Sequence, residues 1–122
     1  MGGDLDEAVR LYTESLELNR RLGDQRVVAM ELHNLGHVEL HRGNLADAER
    51  YFAEADGLRN AGDPYDRAMA SLNQAALAWR RGERERTRDL LETVEATLAD
   101  AGITLDPDDA FEVEWLRGRL AR

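Results

Sequence analysis

The sequence predicts an all-α chain of antiparallel helical hairpins stacked in a row, about six helices in all. Three observations predict it. Apolar residues return at three- and four-residue steps, as at Leu32, Leu35, Gly36 and Leu40, which is the spacing of one helix face. Glycines punctuate the chain at a near-constant interval: Gly3, Gly43 and Gly82 stand 40 and 39 residues apart, and Gly23, Gly62 and Gly102 stand 39 and 40 apart. A fixed period of this size marks a repeat array. Within one period, Met30 to Asp63, two striped segments flank a break at Arg42-Gly43-Asn44, the pattern of an αα-hairpin. Gly36 and Ala48 are small where the helices must approach, and Tyr51 and Phe52 are large where the gap must be filled.

The elements follow in order. Asp4 caps the first helix, and Glu7, three residues on, is placed to complete a capping box. Leu5, Ala8, Leu11, Tyr12, Ser15 and Leu18 are expected on its inner face, and Leu22-Gly23 ends it. Asp24 caps the second helix, which runs to about Arg42. Gly43-Asn44 ends that helix and caps the third, from Leu45 to about Asn60. Asp63-Pro64 opens the fourth helix, since proline at the first helical position forfeits an N–H that has no partner there. It runs to Arg81, closed by Gly82. The fifth spans about Glu83 to Ala101 with Leu90, Leu91, Val94 and Leu98 inward, and Asp106-Pro107 opens the sixth.

The periods align residue by residue. Ala8, Tyr12 and Ser15 match Ala48, Phe52 and Ala55; Asn73, Ala75, Leu77, Trp79 and Gly82 match Asn34, Gly36, Val38, Leu40 and Gly43. Leu32, Leu35-Gly36, Gly43, Ala48, Phe52 and Ala55 resemble the signature of the tetratricopeptide repeat, in a variant of about 40 residues per repeat. The third period departs from it, with Gln74 for Leu35 and Thr87 for Ala48. The resemblance implies a right-handed solenoid forming a single domain over 1–122. It divides into a half repeat (1–23), two repeats (24–62 and 63–102) and a half repeat (103–122). Stacked arrays need polar end caps, and neither end shows one. Two explanations stay open: a piece of a longer array, or ends that pack on a second copy.

Composition narrows the function. With no cysteine, disulfides, thiolate metal sites and cysteine nucleophiles are excluded. No run of 18 apolar residues exists, so no membrane partner is expected. The opening residues Met1-Gly2-Gly3-Asp4 carry no basic-then-apolar leader, and a cytoplasmic location is expected. The net charge of −9 repels phosphate, against direct nucleic-acid binding. Every basic residue apart from the histidines is arginine.

The resemblance also implies where a ligand sits, because the first helix of each hairpin lines a concave groove that holds a peptide or a partner's helix. Those places fall at Met30, His33, Asn34, His37 and His41; at Met69, Leu72, Asn73, Ala76, Trp79 and Arg80; and at Glu112, Trp115, Leu116 and Arg119. Asp47, Glu49, Glu54, Glu85, Asp89, Glu92 and Glu95 fall on the outer wall. The expected partner is a protein or peptide with acidic and apolar side chains, since arginine grips a carboxylate by two hydrogen bonds. The family's carboxylate clamp, built on Lys, Asn and Arg, matches poorly: His33 and His37 stand where clamp proteins carry Lys and Asn. Asn34, Asn73 and Arg80 are retained nearby.

His33, His37 and His41 form a stripe at four-residue steps. An i, i+4 pair lies roughly 6 Å apart and could share an ion, whereas His33 and His41 are separated by about 12 Å of rise. Asn34 and Val38 stand where the zincin motif needs glutamate. The bland alternative is a polar stripe without metal, and no cofactor is expected. Glu39 occupies a place held elsewhere by Ala78 and Ala121; it is either a buried acid paired with an arginine such as Arg42 or Arg50, or a side chain bent out to solvent. Trp79 is core or groove, and Trp115 is expected exposed if the chain is cut after it. No catalytic constellation emerges. Ser15 and Ser71 lack a histidine in reach, and Asp108-Asp109 suits a helix start by its charge alone. The expected function is therefore a protein-interaction scaffold, not an enzyme. The phrase Leu35 to Leu45 looks like the repeat tails of large bacterial regulators. Two rivals stay open: a self-association module whose end helices pair as a homodimer, and a small-molecule or metal-binding groove at His33, His37, Trp79 and Arg80.

Overall fold

The computed structural model describes residues 4–122; Gly3, counted above in the glycine spacing, lies outside the described residues. Among these the chain is all helical, with six helices: α1 (Leu5–Leu22), α2 (Gln25–His41), α3 (Leu45–Gly57), α4 (Pro64–Arg80), α5 (Arg84–Ala101) and α6 (Pro107–Leu120). None is long and apolar enough to cross a membrane. The helices divide into two compact units, one ending at Arg59 and the other beginning at Asn60.

In the first unit α2 packs against both α1 and α3. Its core joins Leu16, Val28, Leu32, Leu35 and Ala55, with Val9, Tyr12, Tyr51 and Leu58 around them. Gly36 and Ala48 are both buried, as two closely approaching helices require. A β-carbon built on Gly36 would meet the Phe52 ring at 2.3 Å, so glycine there is a packing requirement. In the second unit α4 and α5 form the main hairpin, with α6 packed on both. Ala68, Met69, Leu72 and Ala75 are buried on α4, Leu91, Val94 and Leu98 on α5, and Val113 and Leu116 on α6. Gly43 and Gly82 turn the two hairpins with φ of 86° and 76°, a left-handed conformation that costs glycine little.

Capping follows the aspartates. Asp4 accepts from the backbone N–H of Asp6 at 3.0 Å and of Glu7 at 3.2 Å. Asp24 accepts from Val27 at 3.2 Å, Asp63 from Tyr65 at 3.3 Å and Asp106 from Asp109 at 2.9 Å. Each satisfies an amide that the first helical turn leaves open. Glu7 does not close the box; it pairs with Arg10 one turn on.

Three expectations are corrected. α3 ends at Gly57 rather than near Asn60, because the Asn60 side chain accepts from the Gly62 N–H at 2.9 Å and forms a turn that competes with the helix. Asn44 gives α3 no side-chain cap; its amide turns back and donates to Glu39 at 2.9 Å. α1 buries Leu16 with Val9 and Tyr12, while Leu11 and Leu18, expected inward, are exposed. That helix carries two apolar stripes, and α2 covers only one.

Candidate binding surface

The groove residues separate into buried and accessible sets. His33 and His37 are 1% and 2% exposed, which corrects their expected place on an open groove. Gly36 between them lets α3 come close, and both rings pack on Phe52, at centroid distances of 6.4 and 5.0 Å. The two imidazoles meet edge to face at 4.7 Å. Asn73, Ala76, Met69, Leu72 and Leu116 are also buried and serve the interior, not an open lining. Of the expected groove residues on α2, Met30 is exposed and Asn34 and His41 are each half-buried. Asn34 donates a long hydrogen bond to Glu31 at 3.5 Å. The described residues hold no cluster of three or more His, Asp or Glu side chains suited to a metal ion.

Glu39 resolves to the paired alternative. It is buried, and its carboxylate accepts from Arg42 at 3.2 Å and from Asn44 at 2.9 Å. The side chain bent to solvent is thereby set aside; the turn residues reach in to the acid.

In the second unit α4 and α6 bring three of the expected residues together. The Arg80 guanidinium lies 4.3 Å from the centre of the Trp115 ring, and that of Arg119 lies 4.7 Å from it. Arg80 comes from the last turn of α4, and Trp115 and Arg119 are one turn apart on α6, so one indole meets both cations. All three side chains are half-buried. Burial lowers the Arg80 pKa from its ordinary value; the buried Glu112 carboxylate opposes that shift and Arg119 adds to it. A cation stacked on an indole is stabilised by the ring's electron-rich face, and a stacked guanidinium keeps its N–H fork at the rim of its plane, where a carboxylate is met edge on. Trp79 stands apart from this cluster, half-buried, with the Arg84 guanidinium at 5.7 Å.

Two further features lie outside the recurring apolar pattern. Tyr65 donates to the buried Asp109 carboxylate at 3.3 Å, tying the start of α4 to the start of α6. Asp56 and Arg59 pair at 3.8 Å beside His33, with the arginine side chain only 7% exposed. Burial pushes the Asp56 carboxyl above its ordinary value, while Arg59 and His33 pull it back. Their i, i+3 spacing is the one hint the sequence carries. The acidic outer-wall residues Glu54, Glu85, Asp89, Glu92 and Glu95 are exposed, as expected.

Residues 2–55 match the family model described as tetratricopeptide repeat. Comparisons with curated proteins and with solved structures found no match. The repeat is a non-catalytic one that mediates protein–protein interaction. The match covers α1, α2 and most of α3, the helices in which Gly36 and Phe52 interlock. Over residues 2–55, a little under half of its length, this chain is similar to the tetratricopeptide repeat.

Proposed function

We propose that the chain binds a protein partner, and that the Arg80–Trp115–Arg119 cluster receives from it a carboxylate set beside an apolar side chain. The observation that carries this is the stacking of two guanidiniums on one indole in a protein of net charge −9. Like charges held together repel, and an arriving carboxylate relieves that repulsion while gaining charge-assisted hydrogen bonds. The indole offers the apolar surface typical of interface anchors. Within this reading the chain serves as the sensing or assembly segment of a larger bacterial regulator, supported by the likeness of Leu35 to Leu45 to such repeats.

The test is a fluorescence titration with synthetic peptides carrying Glu or Asp beside Leu or Phe, against the same peptides with Gln or Asn. The acidic series should bind and the amide series should lose about tenfold or more in affinity, with the same loss for R80Q/R119Q. Equal binding of the two series, or none of either, overturns the reading.

A further inference from the structure

α1 presents a second apolar face that its own unit does not cover. Leu11, Leu18 and Leu22 are 52%, 54% and 70% exposed. At about 100° per residue they share one direction on the helix, well away from Val9, Tyr12 and Leu16, which pack into the core. With Ser15 they follow four-three-four steps, the spacing of a coiled-coil seam. Three large aliphatic side chains in one line are more than the scattered apolar residues a surface normally shows.

We propose that this stripe seats on the same stripe of a second copy, the two α1 helices running antiparallel. The flanking charges select both the occupant and the direction. Glu14 and Arg21 lie seven residues apart on one shoulder of the stripe. In an antiparallel pair Leu11 sits opposite the second copy's Leu22, and Ser15 opposite its Leu18. Glu14 of each copy then faces Arg21 of the other, so the two-fold axis makes the same ion pair twice. A parallel pair places Glu14 beside Asn19 and Glu7 beside Tyr12, with no opposite charges meeting. The surface is thus complementary to itself in one orientation. Its apolar core is short against a standard interface, so association is on the order of micromolar or weaker.

The test is sedimentation velocity of the whole chain from roughly micromolar to roughly millimolar concentration. The parent chain should pass from monomer to dimer. Leu18→Glu should weaken dimerisation about tenfold or more, with helix content unchanged by circular dichroism because the position is exposed. Glu14→Arg and Arg21→Glu should each weaken it about threefold, and the two together should restore it. Because the chain has no cysteine, introduced thiols report the direction: a mixture of L11C and L22C chains should cross-link, and L11C alone should not. A chain monomeric throughout, a dimer indifferent to Leu18→Glu, or cross-linking of L11C with itself each overturns the proposal.

Discussion

The Phe52 ring lies where a β-carbon on residue 36 would go: such a carbon would stand 2.3 Å from Phe52 Cε1 and 2.5 Å from Cδ1. Phe52 is itself 1% exposed, so the ring has nowhere to retreat. Gly36→Ala should therefore destabilise the first unit by about 1–3 kcal/mol through overpacking, although alanine is the better helix former. Phe52→Ala should cost about 3–5 kcal/mol through the cavity it opens. Gly36→Ala with Phe52→Ala should cost less than the two single changes together, because removing the ring vacates the slot that the new β-carbon enters. Urea denaturation of the four proteins checks this; strict additivity would mean that the two residues do not share that space.

The Glu39 carboxylate makes an asymmetric prediction. Its partners Arg42 and Asn44 are exposed and Glu39 is buried. Glu39→Ala frees two donors that reach water, so the loss should stay within about 1 kcal/mol. R42A/N44A leaves a buried carboxylate without those donors and should cost more, about 1–3 kcal/mol. Adding Glu39→Ala to that pair should recover most of the difference. The same denaturation series decides it; a pair of donor changes cheaper than Glu39→Ala would show that the acid is hydrated.

Stability should fall with rising pH on account of Asp56. Burial raises its carboxyl pKa above the ordinary 3.8, so between 3.8 and the raised value the folded chain binds more protons than the unfolded one. A group of that kind favours the fold while protonated and loses the advantage as pH climbs through its folded pKa. The difference in melting temperature between Asp56→Asn and the parent should therefore widen in favour of the variant from about pH 4 upward. A difference constant with pH would mean that Asp56 titrates like a free carboxylate.

What was legible in the sequence is what depends on near neighbours. Asp4, Asp24, Asp63 and Asp106 cap helices because the acceptor and the open amides lie within three residues of one another. Gly36 opposite Phe52 followed from the recurring small and large positions. Choices that depend on a distant surface were not legible. α1 has two apolar stripes, and which one faces α2 is decided by α2. The His33, His37 and His41 stripe looked uniform, yet two of its members are buried and the third is not, because burial depends on what packs beside each turn. Arg80, Trp115 and Arg119 were each expected among the groove residues, but not that one indole would carry both cations.

That cluster predicts a separation of binding from stability. Arg119 is half-buried, and its charge helps to lower the pKa of Arg80, which means that the two guanidiniums repel. Arg119→Gln removes a cation–π contact worth about 0.5–1 kcal/mol at such a site and also removes the repulsion, so the two changes offset. Denaturation should shift by less than about 1 kcal/mol. Affinity for the acidic peptides, by contrast, should fall about tenfold, since a charged hydrogen-bond donor is lost to the ligand alone. Trp115→Ala should lose both, because it removes the surface on which Arg80 and Arg119 are held. Measured together by urea denaturation and peptide titration, an Arg119→Gln chain that unfolds early yet binds normally would place Arg119 in the scaffold and not in the binding surface.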